Sequence, residues 1–141
     1  MSRLKAATFC AEPVSPAVQE FAMDKVCGRY INSYWATEHG GIVFSCPWGD
    51  YKPLAADAKT WPLPWIQAEV RVATDVDADG RAVAWRPAEE GEKGELVITR
   101  PYPYLARTIW GDPGHLGEPG WQGDIERFSA VYFDRWPGDP V

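Results

Sequence analysis

The chain has 141 residues, with thirteen glycines, thirteen prolines and eight tryptophans, and its fourteen Lys and Arg against twenty Asp and Glu leave a net charge of −6. That acidic balance offers neither the basic stripe a nucleic-acid backbone demands nor the polybasic segment that favours anionic membranes. No apolar run approaches the ~18 residues of a spanning helix, and Met1-Ser2-Arg3-Leu4-Lys5 lacks an apolar signal core, so a cytoplasmic protein with no nucleic-acid or membrane partner is expected. Cys10, Cys27 and Cys46 are odd in number and widely spaced without a Cys-x-x-Cys, which predicts reduced, at least partly buried thiols. His39 and His115 are too few and too separated for a histidine-based metal site.

In chain order, residues 3–10 read as a short buried strand and Ala11-Glu12-Pro13-Val14 as a loop. Ser15-Pro16 then starts a helix, with Ser15 as N-cap and Pro16 at the first helical position, where a missing N–H costs nothing. Val18, Phe21, Ala22 and Val26 fall on one face at helical spacing, and Gly28 stands at the expected C-terminal position. Residues 29–35 alternate as a second strand. Strand, helix and strand within about thirty residues make a βαβ unit, which wants parallel pairing.

The second strand runs through Tyr34-Trp35-Ala36 into Thr37-Glu38-His39-Gly40-Gly41. A hydroxyl and a carboxylate thus stand at a strand's carboxyl end, where open α/β sheets place ligand crevices. The two glycines permit tight backbone angles and close approach. An ordinary strand ending in a turn has the same pattern.

After Gly41, Ile42-Val43-Phe44-Ser45-Cys46 reads as a strand and residues 47–59 as irregular. Trp61-Pro62-Leu63-Pro64-Trp65 is an extended aromatic segment that cannot be a central strand. In residues 68–73, Ala68, Val70 and Val72 fall on one side and Glu69 and Arg71 on the other, which predicts a half-buried strand. Asp79-Gly80 marks a tight turn back through residues 82–85, and residues 95–100 make another strand. Four or five such antiparallel strands predict a small barrel or sandwich. Residues 102–120 are loop-rich. Asp124 caps a last helix in which Ile125, Phe128, Val131 and Tyr132 repeat at three- and four-residue spacing. The expected class is α+β: a βαβ segment in residues 1–40, an antiparallel β-barrel or sandwich in 41–112, and a loop insertion with a C-terminal helix in 113–141.

Four ordered stretches resemble one family. Ala11-Glu12-Pro13 is similar to a Gly-Glu-Pro, and Tyr34-Trp35-Ala36-Thr37-Glu38-His39-Gly40-Gly41 to a Trp-Trp-Gln-Thr-Glu-x-Gly-Gly motif. Gly94-Glu95-Leu96-Val97-Ile98 resembles a Gly-x-Leu-Val-Ile strand. Ala106-Arg107-Thr108-Ile109-Trp110-Gly111-Asp112, with Glu126-Arg127-Phe128 and Tyr132-Phe133, resembles an Ala-Arg-Thr-(Ile/Leu)-(Tyr/Phe)-Gly-Asp…Glu-Arg-Phe…Tyr-Phe segment. Together they resemble the AMP-forming acetyl-CoA synthetase branch of the adenylate-forming superfamily.

The resemblance implies an acid-thiol ligase that joins a carboxylate to coenzyme A at the expense of ATP, with Mg²⁺. It implies that Ala11, Glu12 and Pro13 line the adenine and that Asn32, Ser33 and Tyr34 form the adjoining face. Thr37 would hydrogen-bond the α-phosphate, Glu38 would help hold Mg²⁺, and Thr37 and Glu38 would be the catalytic pair. Trp35 would floor the acyl pocket and restrict it to a short acid such as acetate, propionate or 3-hydroxypropionate. Ala11 stands for the family's usual Gly, Asn32 for Asp, Ala36 for Gln and His39 for Thr, which suggests a sub-branch. The family's phosphate loop, its ribose-binding Gly-Asp segment and its lid with a catalytic lysine do not occur in these residues. The expectation is therefore an internal fragment, inactive alone, that self-associates through exposed strands. Two other readings fit the residues: a non-catalytic β-barrel module derived from that family, and a sugar or peptide binder with Trp61, Trp65 and Trp85 as platform.

Overall fold

In the computed structural model, residues 3–46, 55–57, 59–111 and 123–136 are described. The expected irregular stretch of residues 47–59 and the expected insertion of residues 113–123 lie largely outside them. Two compact units form, Met1–Ile66 with Tyr102–Leu105, and Gln67–Pro101 with Ala106–Val141.

The first unit opens with the βαβ segment. Strands β1 (Ala7–Phe9) and β2 (Tyr30–Ala36) pair in parallel, with Ala7 beside Tyr30 and Phe9 beside Asn32. Helix α1 (Pro16–Lys25) links them. It starts as its sequence dictates: Ser15 Oγ accepts the Val18 N–H at 3.4 Å, and Pro16 fills a position whose N–H has no helical partner.

The helix's inward face differs from the expected one. Gln19 is 1% exposed and Ala22 is buried, whereas Val18 is 55% and Phe21 63% exposed. The reason is a polar contact: Gln19 Nε2 donates to the Tyr30 carbonyl at 3.1 Å, so the amide is satisfied where it is buried. The helix is capped at Val26, and Gly28 is not among the glycines with positive φ, so no left-handed glycine ends it.

A 3₁₀ turn (Thr37–His39) follows β2, and β3 (Gly41–Ser45) folds straight back antiparallel to it. The short β4 (Trp61–Pro62) pairs with β3 at the sheet's edge, where a proline is tolerated. The sheet order is β1-β2-β3-β4. Its core holds Phe9, Ile31, Val43, Phe44, Ile66 and Tyr102. All three cysteines are free; Cys27 is buried and Cys46 half-buried, but Cys10 is exposed, contrary to expectation.

The second unit holds β5 (Ala68–Val76), β6 (Ala82–Pro87), β7 (Glu95–Ile98) and α2 (Ile125–Tyr132). The strands form an open antiparallel sheet, order β6-β5-β7, and the α+β class holds without a closed barrel. The physical reason is strand allocation. The tight turn over Thr37–His39 gives β3 to β2, and β4 follows β3, so three described strands remain, too few to curl into a ring.

In β5 the buried residue is the arginine. Arg71 is 3% exposed while Val70 is exposed. The Arg71 guanidinium lies 3.8 Å over the Trp85 ring, 5.5 Å from that of Trp136, and its Nε donates to Glu69 at 2.6 Å. Stacking between indoles outweighs the simple in-and-out pattern of the strand.

The β5–β6 turn is built around Asp77, whose Oδ1 accepts the N–H groups of Asp79 and Arg81, with Gly80 at φ 84. Asp124 Oδ1 accepts the Arg127 N–H at 2.9 Å and caps α2. Of the four apolar residues that repeat at three- and four-residue spacing on that helix, Phe128 is buried and Ile125, Val131 and Tyr132 are exposed. No helix among the described residues is long and apolar enough to cross a membrane.

One pH response follows from the loop after β6. Arg86 forks onto both oxygens of Glu92, at 2.7 and 2.6 Å, and the Glu89 N–H adds a third bond. These bonds hold the Glu92 carboxyl down at about 2. Because the folded value lies below the unfolded one, the stabilisation is present above the ordinary glutamate range of about 4.3 and is lost as pH falls toward 2. Glu92→Gln is expected to flatten the acid limb of the unfolding curve between about pH 4.5 and 2; an unchanged limb by circular dichroism counts against the fork.

Candidate functional site

Parallel pairing puts the carboxyl ends of β1 and β2 at the same edge of one sheet. From β1 the chain continues through Cys10 into Ala11-Glu12-Pro13, all exposed. Ala11 has φ 71, the left-handed region that favours glycine. Such strain persists where surrounding structure over-determines it, and it gathers at ligand sites. Ala11→Gly relieves roughly 1–2 kcal/mol of left-handed strain and gives back about 0.5–1 in unfolded-chain entropy. The expected result is a net gain of up to about 1.5 kcal/mol in urea unfolding; a loss of stability means that the φ is not strained.

Strand β2 outruns β1 by Ser33, Tyr34, Trp35 and Ala36, roughly 13 Å at strand rise. This overhang is held by β3, with Ser33 beside Ser45 and Ala36 beside Gly41. Ser33 is buried, and its hydroxyl pairs with that of Ser45 at 3.0 Å. Asn32 is half-buried. The ladder slips between Tyr34 and Trp35, which leaves these two successive aromatic side chains both exposed. Bulges re-aim side chains in this way beside active sites.

At the end of the overhang sit the predicted pair. Thr37 is exposed and Glu38 half-buried. Ala36 has no polar side chain to cap the turn, and the cap comes from the other end: the Ala36 N–H donates to His39 Nδ1 at 3.1 Å. Burial pushes the His39 imidazole below its usual value, and the Glu38 charge opposes that shift. The Gly40 N–H closes the turn onto the Thr37 carbonyl at 3.0 Å, with Gly40 at φ 72.

Sequence reasoning did not single out what supports this turn. Tyr102 donates its hydroxyl to the His39 carbonyl at 3.1 Å, and Tyr104 donates to the Ile42 carbonyl at 2.7 Å. Trp65 Nε1 in turn donates to the Tyr104 hydroxyl at 2.7 Å. The two tyrosine rings meet edge-on at 4.8 Å. Burial first, and Tyr104 second, push the Tyr102 phenol up to about 12, so it stays a donor at any working pH. A Tyr-Pro-Tyr just before the Ala-Arg-Thr stretch was the available signal.

Among the described residues no three or more His, Cys, Asp or Glu gather as a metal cage. The turn presents one carboxylate, Glu38, beside one hydroxyl, Thr37. That donor set fits an ion such as Mg²⁺, which takes one or two carboxylates and completes its shell with phosphate oxygens and water. Arg107 and its neighbours belong to the second unit, where Ile109 bridges to Asp124; Asp112 lies outside the described residues.

The family model described as AMP-binding enzyme matches residues 1–110. The chain is 34% identical to an acetyl-coenzyme A synthetase of Wolinella succinogenes, covering all of this chain and 19% of that protein. It is 33% identical to an acetyl-coenzyme A synthetase of Pyrobaculum aerophilum, over 98% of this chain and 18% of that protein. A third, from Campylobacter jejuni, is 32% identical over 94% of this chain. The chain spans about a fifth of the length of these relatives.

Proposed function

The chain belongs to the AMP-binding enzyme family, and from that premise we propose that it forms one wall of the nucleotide site of an AMP-forming acyl-CoA synthetase. In the proposed reaction a short carboxylate attacks the α-phosphorus of ATP, forming a C–O–P bond and releasing pyrophosphate. The sulfur of coenzyme A then attacks the acyl carbon and releases AMP. One observation carries the reading: β1 and β2 run in parallel, so Ala11-Glu12-Pro13 and the Thr37-Glu38 turn emerge at one sheet edge, separated by the overhang of β2. A nucleotide laid along that overhang would set its base near Ala11-Glu12-Pro13 and its phosphate near Thr37.

In this reading Tyr34 and Asn32 flank the base, with Ser33 behind them in the sheet. The Thr37 hydroxyl donates to the α-phosphate as charge develops there. Glu38 would hold Mg²⁺, which supplies charge stabilisation on the phosphate oxygens when bound. Trp35 floors the acyl pocket, and its bulk limits the acid to two or three carbons, as in acetate, propionate or 3-hydroxypropionate. The setting is cytoplasmic. The 141 residues alone are expected to be inactive, because a single wall cannot align both reactants.

An amide-resolved NMR titration of the chain with AMP tests this. Shifts at Ala11, Glu12, Tyr34 and Thr37 are expected. No response to AMP or ATP, with binding to a sugar panel at Trp61 and Trp65 instead, overturns it in favour of the aromatic-platform reading.

Self-association belongs to the same proposal. Strand β1 is the sheet's edge, and Val18 and Phe21 leave an apolar stripe exposed on α1. Open edges and bare apolar faces favour pairing with a second copy. Light scattering is expected to show a dimer that Phe21→Glu weakens; a monodisperse monomer at high concentration counts against it.

A further inference from the structure

We propose that Tyr102 and Tyr104 are positioning residues, a strap that fixes the Thr37–Glu38 turn from behind and so sets the geometry in which it meets its ligand. This rests on the nucleotide reading above for the identity of the ligand only; the mechanical part stands on contacts within the first unit.

The turn needs outside support. It is a three-residue 3₁₀ segment, Thr37–His39, too short to hold itself by its own ladder. Its start is fixed by the Ala36 N–H on His39 Nδ1. Its end is held by the Gly40 N–H on the Thr37 carbonyl and by the pairing of Gly41 with Ala36, and the strap adds to these. There the Tyr102 hydroxyl donates to the His39 carbonyl, a part-buried bond made by a buried ring. One residue on, the Gly40 Cα lies so close to the Tyr104 carbonyl that no side chain fits between them. Two residues further, the Tyr104 hydroxyl takes the Ile42 carbonyl while accepting from the Trp65 indole. Residues 39, 40 and 42 are thus pinned in succession by one short stretch, Tyr102–Leu105, itself closed by the Leu105 N–H on the Tyr102 carbonyl at 3.1 Å.

The strap touches neither Thr37 nor Glu38 in any of these contacts, which separates positioning from binding. A hydroxyl and a carboxylate serve a phosphate only when held within fractions of an ångström by residues that are themselves locked. Tyrosine suits that role: a rigid ring fills the space behind the turn, and its single polar tip meets one carbonyl.

The test uses the whole chain and two variants that each remove one oxygen, Tyr102→Phe and Tyr104→Phe. Amide exchange across residues 37–42 is expected to speed up about five- to tenfold in Tyr102→Phe, the size of a lost part-buried hydrogen bond, and by less in Tyr104→Phe, whose bond is exposed. In Tyr104→Phe the Trp65 indole N–H resonance is expected to shift as its acceptor goes. AMP affinity, read by the same NMR titration, is expected to fall by a similar factor of about five to ten. Asp124→Ala serves as control: it removes the α2 cap in the other unit and is expected to lower stability without changing exchange in the turn or AMP affinity.

If both phenylalanine variants keep wild-type exchange in residues 37–42, the strap is overturned. If they loosen the turn but weaken AMP no more than Asp124→Ala does, its positioning role is overturned. If AMP perturbs no form of the chain, the nucleotide reading fails, while exchange in the turn still decides the strap. Should one variant not fold, the other and the wild-type protein decide. Wild-type amides of Gly40 and Gly41 are expected to exchange only with opening of the whole unit, and fast local exchange there overturns the strap.

Discussion

Replacing Gly40 with alanine is expected to destabilise the first unit by about 3 kcal/mol or more, through both left-handed strain and backbone overlap. Gly40 has φ 72, and a Cβ there would run into the carbonyl oxygen of Tyr104 and stand 3.0 Å from its carbonyl carbon. Backbone cannot swing aside as a side-chain tip can, so either the turn or the strap must move. Gly80 provides the calibration. Its φ is 84, but nothing lies within 4 Å of where a Cβ would stand. Gly80→Ala carries strain alone and is expected to cost about 1–2 kcal/mol. Urea unfolding of the two variants side by side separates the terms. Equal losses at the two positions would mean that the strap does not press on the turn. If the turn moves, Thr37 and Glu38 move with it, and AMP shifts are expected to vanish from Thr37 in Gly40→Ala while persisting in Gly80→Ala.

The second large effect is expected at Arg71. Its guanidinium is nearly inaccessible, stacked on Trp85 and near Trp136, and paired with Glu69. Arg71→Ala removes the cation, leaves two indoles facing a void, and strands the Glu69 carboxylate. Loss of one partner from a buried ion pair costs about 3–5 kcal/mol. Glu69 is the more exposed of the pair and can be rehydrated, so the low end, about 3 kcal/mol, is expected. For a chain of this size that is a fall of roughly 6–12 °C in Tm. Lysine recovers little, because an ammonium lacks the flat face that lies on an indole. Thermal unfolding followed by tryptophan fluorescence reads both, since Trp85 and Trp136 report on the cluster itself. A loss below about 1 kcal/mol in Arg71→Ala would place the residue among ordinary surface ion pairs.

Arg71 also shows where pattern reading stops. Alternation along residues 68–73 put the valines on one side and Arg71 on the other. Period two says which residues share a face, but not which face is covered. Here two tryptophans, one of them 65 residues from the arginine at Trp136, cover the face that carries it. Helix α1 teaches the same lesson: Gln19 is inside because the Tyr30 carbonyl waits for it, and Phe21 is outside.

By itself the sequence determined the local elements and the family. The Ser15-Pro16 helix start, the Asp124 cap, the strand-helix-strand run and the turn at Asp79-Gly80 are all written in short-range chemistry that acts within four residues. The ordered motifs around Glu12, Thr37, Leu96 and Arg107 carried the resemblance. Only tertiary structure decided that β3 returns to β2 and leaves an open sheet of three strands, that Ala11 takes a left-handed bend, and that Tyr102 and Tyr104 reach back some sixty positions to grip His39 and Ile42. Those outcomes depend on which distant carbonyl or ring is within reach once the chain has closed on itself. A carbonyl's need for a donor is the same at every residue, so no local pattern in the sequence marks the one that will be met.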